Sequence, residues 1–224
     1  MDDKLNNVKE ILRKYDQLHL ISFYAELTEA QKSYLLNQLL NIDFEQILNL
    51  YEKSKLEVLA STEEIEPLDY SIKSDFSNSK VKQLEGIGWK AIKAGKVGII
   101  TLAGGQGSRL GFPGPKGTLY LETTPKKSLF EILCDYIKGY SAKFKINLPW
   151  YIMTSSDNYF DTISFFEKNN FFGYDRNSIV FFNQENMPII DTNGKLVLSE
   201  TYKINLASNG NGNVFSALKK ANLV

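Results

Sequence analysis

The chain is poor in the side chains that most often carry metal and acyl-transfer chemistry. It has one cysteine, Cys134, and one histidine, His19, among 224 residues. A single cysteine excludes an intrachain disulfide and suits a reducing compartment. A lone histidine with no cysteine near it excludes a Cys/His zinc set. A Ser-His-Asp hydrolase would have to use His19, which sits in an amphipathic helical stretch, and the reading is set aside. Cys134 falls in a helical apolar pattern and reads as core. Net charge is lacking too. The 26 Lys+Arg balance 26 Asp+Glu for a formal charge of +0, so bulk charge draws the chain neither to nucleic acid nor to an anionic membrane. No apolar run approaches the roughly 20 residues of a membrane helix. The opening MDDKLNNVKE is charged and has no signal-like apolar stretch. These absences predict a cytoplasmic protein with no nucleic-acid and no membrane partner.

What is present is material for a core: 43% hydrophobic residues, including 14 Phe and 12 Tyr. The length allows one α/β domain with a small attachment, or two small domains. Residues 1–55 read as a helical region. Leu5, Val8, Ile11, Leu12 and Tyr15 keep a helical period. Thr28 and Gln31 have the spacing of a capping box, followed by Tyr34, Leu35, Leu39 and Leu40. Asp43 can cap a helix carrying Phe44, Ile47, Leu48 and Tyr51. This region carries no recognisable chemistry. Residues 56–95 read as a polar linker, then a helix over about 79–93 with Val81, Leu84, Trp89 and Ile92, weakened by Gly86 and Gly88.

From Lys96 the pattern becomes strand, helix, strand, helix, strand. Val97 to Leu102 is apolar at nearly every position, as a buried parallel strand is. Ser128 and Glu131 suggest a second capping box, starting a helix whose face is Leu129, Ile132, Leu133, Tyr136 and Ile137. Trp150 to Thr154 and Ile179 to Phe182 are further strands. Ser156 or Asp157 caps the helix between them, which carries Phe160, Ile163 and Phe166. Asn193-Gly194 predicts a hairpin between Met187–Asp191 and Lys195–Ser199, and a last helix begins near Asn211. The fold class is α/β, a parallel or mixed sheet wound with helices, preceded by the N-terminal helical region. Three strands are few for such a sheet. The expectation is therefore that residues 96–224 are the front part of a longer catalytic domain.

The chemistry-bearing segment is Leu102-Ala103-Gly104-Gly105-Gln106-Gly107-Ser108-Arg109-Leu110-Gly111-Phe112-Pro113-Gly114-Pro115-Lys116. It follows a strand, where open α/β sheets bind ligands. Glycines let backbone N–H groups approach phosphate without a Cβ between. Arg109 offers a planar fork of donors for phosphate oxygens, and Lys116 a mobile point charge. A Rossmann fingerprint fails because Leu110 stands where the third glycine belongs. A P-loop fails because the order is Lys116-Gly117-Thr118 rather than Gly-Lys-Thr. These failures argue against an oxidoreductase or a P-loop kinase.

The run GGQGSRLG followed by Pro115-Lys116 resembles the signature of nucleotidyltransferases that activate sugar 1-phosphates. It is especially similar to eukaryotic-type UDP-N-acetylglucosamine pyrophosphorylases and their UDP-sugar pyrophosphorylase relatives. Pro125 to Phe130, Pro149 to Ser155, Phe181 to Pro188 and Ala207 to Gly212 resemble later motifs of that family in the same order. The segment TEAQKSYLLNQLLNIDFEQI resembles its N-terminal helices. The resemblance implies a Rossmann-like nucleotidyltransferase core. It implies a reversible reaction in which UTP and a sugar 1-phosphate, N-acetylglucosamine 1-phosphate first, give UDP-sugar and pyrophosphate. It implies Arg109 and Lys116 as catalytic charges on the phosphates. It further implies Leu102, Ala103, Gly104, Gly105, Gly107, Gln184 and Gly210 at the nucleotide, Gln184 and Gly210 by the uridine base, and Asn211 by the sugar or nucleotide. Mg²⁺ is the implied cofactor, with ligands expected beyond Val224 and none in this chain. Two departures stand out: Ser208-Asn209 replaces the family's Pro-Asp before Gly210, and Asn183 replaces the first Gln of its Gln pair. Glucose 1-phosphate or a broad sugar range is the alternative substrate reading. An inactive nucleotide-binding fragment is the alternative functional reading.

Overall fold

Short polar side chains set where the helices start. The computed structural model describes residues 2–56 and 66–223. In chain order its helices and strands are α1 (Asp2–Lys14), α2 (Glu29–Leu40), α3 (Phe44–Lys55), α4 (Asn78–Lys93), β1 (Ile99–Leu102), β2 (Tyr120–Leu121), β3 (Lys127–Ser128), α5 (Leu129–Phe144), β4 (Trp150–Thr154), α6 (Tyr159–Lys168), β5 (Ile179–Asn183), β6 (Asn186–Pro188), β7 (Leu198–Glu200), β8 (Lys203–Ile204), β9 (Leu206–Ser208) and α7 (Val214–Lys220). The box at α2 is complete: Thr28 Oγ1 accepts the Gln31 N–H and Gln31 Oε1 accepts the Thr28 N–H. Asp43 caps α3 through the Gln46 N–H at 2.9 Å. At α5 only one arm forms, with Ser128 Oγ accepting the Glu131 N–H at 3.1 Å. Among the described residues no helix is long and apolar enough to cross a membrane. Part of the expected linker, residues 57–65, lies outside the described residues.

Two compact units result, Met1–Glu66 with Asn186–Ser208, and Pro67–Glu185 with Asn209–Val224. The first is built on Val8 and Leu12 of α1, Leu35, Leu36 and Leu39 of α2, and Phe44 and Ile47 of α3, with Leu20, Leu196 and Ile204. The apolar face of α2 is turned from the expected one. Leu36 is buried, while Tyr34 is exposed and sets its ring edge-on to Tyr202. The hairpin at Asn193-Gly194 forms, with Asp191 N–H donating to Lys195 O at 2.8 Å and a bridge between Ile190 and Leu196. Its outer residues pair differently from the expectation. β6 pairs with β9 and β7 with β8: the Val197 N–H still donates to Ile189 O, but Asn205 takes the Ile189 N–H and donates its own to Val197 O. Residues 186–208 thus pack with the helical unit rather than with the sheet they follow in sequence.

The second unit holds a parallel sheet in the order β1-β4-β5. Phe130, Cys134 and Ile137 of α5 and Phe166 of α6 pack with Trp150, Ile152 and Ile179. Val214, Ala217 and Leu218 of α7 pack with Met153 and Phe182. These two groups lie on opposite faces, since neighbouring strand residues point to opposite sides. β1 is shorter and less covered than its apolar run predicted: Ile100 is 42% and Leu102 44% exposed. β1 ends the strand order, and α7 packs over the other two strands, β4 and β5. The buried stripe of α5 is Phe130, Cys134, Ile137, Ser141 and Phe144, so Leu133 and Tyr136 face outward instead of inward. On α6 Thr162 and Phe166 are buried and Phe160 is exposed. Burial pushes the Cys134 thiol up to about 11, which makes it a packing group. Residues Asn211–Asn213 form a single 3-10 turn before α7.

Candidate nucleotide site

The parallel register aligns the carboxyl ends of the three strands. Leu102 pairs with Met153, and Thr154 with Asn183. Beyond β1 the pairing runs one residue further, with the Ala103 N–H donating to Met153 O at 2.7 Å. A buried amide then fixes the start of the glycine loop. Asn158 Nδ2 donates to Ala103 O at 3.0 Å, and Asn158 Oδ1 accepts the Ser155 N–H at 2.9 Å. Asn158 also stands at the N-cap position of α6, next to the two residues expected to cap it. Burying an amide is favourable only when its polar atoms are satisfied, and here both ends are used on backbone at the strand ends.

The glycine loop folds back on itself as a narrow hairpin. Gln106 bridges Pro115, the Gly107 N–H donates to Gly114 O at 2.8 Å, and the Lys116 N–H donates to Gly105 O at 3.0 Å. Two of its glycines stand against protein rings. A Cβ on Gly107 would stand 2.7 Å from Phe112 Cδ1, and one on Gly117 only 2.1 Å from Phe130 Cζ. Gly107, expected at the nucleotide, also packs closely against Phe112. Arg109 lies in the 3-10 turn Ser108–Leu110, which Gly111 ends at φ 67. Its side chain is exposed, as is Lys116, and neither is in an ion pair among the described residues.

Four of the expected site residues come together. The Gln184 side chain lies so close to Gly104 that a Cβ there would stand 2.6 Å from Gln184 Oε1. Gln184 itself is placed by its N–H, which donates to Thr154 O at 2.7 Å. Lys116 reaches over Gly105, its Nζ 4.0 Å from where a Gly105 Cβ would stand. An amide able to read a base edge and an ammonium able to meet a phosphate thus flank adjacent glycines. Asn183, one of the two departures, accepts a hydrogen bond from the buried Thr154 hydroxyl at 2.8 Å, so the shorter amide serves the strand end. Gly210 has φ 77 and ψ 168, a backbone region essentially reserved to glycine. Gly210 and Asn211 are tied in through Glu185, whose carbonyl accepts the Asn209 N–H at 3.0 Å and whose carboxylate meets Asn213 Nδ2 at 3.1 Å. The Lys220 ammonium, and after it the Asn213 amide, hold the Glu185 carboxyl below its ordinary value. Leu102 points its exposed side chain away from the Thr101–Trp150 contact on the opposite sheet face. Asn158, Thr154, Glu185 and Asn213 were not anticipated from sequence, because their partners lie far along the chain. Among the described residues no group of three or more His, Cys, Asp or Glu could hold a metal ion.

Residues 41–224 match the family described as UTP–glucose-1-phosphate uridylyltransferase. The chain belongs to that family. Within it, the chain is 35% identical to a probable UDP-N-acetylglucosamine pyrophosphorylase of Schizosaccharomyces pombe, over 97% of this chain and 48% of the relative. It is 31% identical to UDP-N-acetylglucosamine diphosphorylase 2 of Arabidopsis thaliana, over 96% of this chain and 46% of the relative. The fold is similar to the uridine diphosphate N-acetylglucosamine pyrophosphorylase of Trypanosoma brucei crystallised with an inhibitor: TM-score 0.74, 30% identity, 97% of this chain and 45% of that one. This uridylyltransferase-family chain spans about half the length of the curated relatives it matches.

Proposed function

We propose that the chain is the nucleotide-binding front portion of a uridylyltransferase that converts UTP and a sugar 1-phosphate to a UDP-sugar and pyrophosphate. The observation that carries this reading is the pairing of Gln184 over Gly104 with Lys116 over Gly105 at the ends of parallel strands. Family membership supports it. The names of the S. pombe and A. thaliana relatives favour N-acetylglucosamine 1-phosphate as the sugar substrate. In the reaction a phosphate oxygen of the sugar 1-phosphate attacks the α-phosphorus of UTP, and the bond to pyrophosphate breaks in line. Such chemistry needs positioning and charge stabilisation rather than a histidine base. Gln184, with Gly104 and Gly210, reads the base. Lys116 stabilises charge at the α-phosphate, Arg109 on the departing pyrophosphate, and Asn211 meets the sugar or nucleotide. The backbone from Leu102 through Ala103, Gly105 and Gly107 shapes the cradle. A Rossmann-like description of the sheet and a cytoplasmic setting belong to the same proposal, as does a division into a helical region over 1–55, a connecting stretch over 56–95 and the nucleotide-binding part over 96–224. Mg²⁺ is part of it only as a cofactor held by residues other than those described, and no step is assigned to it.

Two measurements test the proposal. Titration calorimetry of this chain should show UTP binding, and binding of NAD with none of UTP would overturn it. Pyrophosphate release by the full-length protein, from UTP and a panel of sugar 1-phosphates, should be fastest with N-acetylglucosamine 1-phosphate. A second reading is that this chain alone binds nucleotide without turnover, which its half-length match to the relatives favours. UTP binding with no pyrophosphate release from the isolated chain is its signature.

A further inference from the structure

The chain leaves the sheet unit after Glu185 and re-enters it at Asn209. Glu185 closes that neck with both its backbone and its side chain. Its carbonyl accepts the Asn209 N–H at 3.0 Å. Its N–H lies 3.4 Å from Asn213 Oδ1, and its carboxylate accepts from Asn213 Nδ2 at 3.1 Å and from Lys220 Nζ at 2.8 Å. Glu185 and Asn213 thus hold each other reciprocally, each as donor and acceptor. Between the anchored ends, Asn209 and Asn213, lie Gly210, Asn211 and Gly212, all exposed; Asn211–Asn213 form a 3-10 turn, and the Asn213 N–H donates to Gly210 O at 3.3 Å. A Cβ on Gly210 would meet nothing within 4 Å. Glu185 ties both ends of this turn to the strand end after β5. The Lys220 side chain is 75% exposed, and an ion pair of that kind contributes little by itself. The reciprocal amide contact is the one that fixes geometry.

We propose that Glu185 is a positioning residue of the nucleotide site: through Asn209 and Asn213 it holds Gly210 and Asn211 in their binding shape before a ligand arrives. This rests on reading the site as one for UTP and UDP-sugar. A loop ordered in advance loses less conformational freedom on binding, so the anchor raises affinity without touching the ligand.

The test uses Glu185→Ala, Asn213→Ala, their double variant, Glu185→Gln and Lys220→Ala in the whole chain. Two quantities are read: amide hydrogen exchange over 209–213 without ligand, and UTP affinity by calorimetry. Each alanine variant should speed exchange in the loop and weaken UTP binding roughly tenfold, the scale of a hydrogen bond to a charged group. The double variant should be no weaker than either single one, since both break one shared contact. Glu185→Gln should recover most of the affinity, because its Oε1 still accepts from Asn213. Lys220→Ala should change affinity by less than about twofold. A purely structural role would lower the melting temperature without this non-additivity or rescue. Unchanged exchange and affinity in Glu185→Ala, or additive losses in the double variant, would overturn the proposal. If the unaltered chain binds no UTP, the nucleotide reading fails and the positioning role falls with it. The exchange measurement then still decides whether Glu185 anchors the loop.

Discussion

Between Ala103 and Gly117 the chain closes through its own backbone and through rings packed against its glycines, whereas between Asn209 and Asn213 a short 3-10 turn is tied at both ends to one residue from outside the loop. The first loop closes through Gly107–Gly114 and Gly105–Lys116 bonds and through Gly117 under Phe130. The second closes through Glu185, 28 residues from Asn213 along the chain. A self-held loop keeps a rigid shape wherever its strand goes, which suits placing charge on phosphates. A loop held from outside can be tuned by one side chain, which suits recognition. The contrast also explains why the glycine loop is conspicuous in sequence and the Glu185 anchor is not.

The largest expected effect separates charge from recognition. Lys116→Ala in the full-length enzyme should lower kcat by about 10²–10³-fold with a milder loss of UTP binding, as removal of a transition-state charge partner does. Loss of affinity with unchanged kcat would put the first loop on the recognition side and erase the contrast. Gly117→Ala comes next. Its Cβ would sit 2.1 Å from the buried Phe130 ring, and overpacking of this kind costs about 3 kcal/mol, readable as a lower urea midpoint. An unshifted midpoint would mean that ring packing does not hold the loop. Gly210→Ala has open space but the wrong backbone, with φ 77. Strain of that type costs about 1–2 kcal/mol, and it should appear as faster amide exchange confined to the second loop. Gly104→Ala should leave stability nearly unchanged, because its Cβ meets only the flexible end of Gln184. By displacing that amide it should weaken UTP binding by roughly tenfold, the value of a lost hydrogen bond or two. The smallest effect is with pH. The Glu185 carboxyl is held below its ordinary value of 4.5. A depressed acid contributes its anchoring fully above the unfolded value and loses it as pH falls through the folded one. As pH falls below the ordinary value of 4.5, exchange over 209–213 should therefore accelerate relative to exchange over 103–117.

The helical period of α1 and the boxes and caps at Thr28 and Asp43 were legible, because each depends on residues within one or two turns. Trp150 to Thr154 was legible as a strand for the same local reason. Which face of a helix is buried was less legible. On α5 both Leu133–Tyr136 and Cys134–Ile137 offer apolar stripes, and only the sheet with Phe166 and Trp150 selects the second. The hairpin at Gly194 was read correctly at its turn, but its outer pairing depends on Asn205, beyond the local window. Gly104, Gly105, Lys116 and Gln184 were expected together through family resemblance, and the structure brings them into one patch. Gly107 was expected at the nucleotide, and its packing against Phe112 was not foreseen.

By itself the sequence determined that a glycine-rich run with Arg109 and Lys116 follows a strand, the local pattern on which the proposed phosphate chemistry rests. It also determined the starts of α2, α3 and α5, because capping is decided by bonds three residues long. Only the tertiary structure decided that Asn158 pins Ala103, that Thr154 places Gln184 and Asn183, that Glu185 anchors the second loop and that residues 186–208 pack with the helices. Each of these rests on contacts between segments far apart along the chain. Such contacts are selected by packing and by the need to satisfy buried polar groups, which no local pattern records.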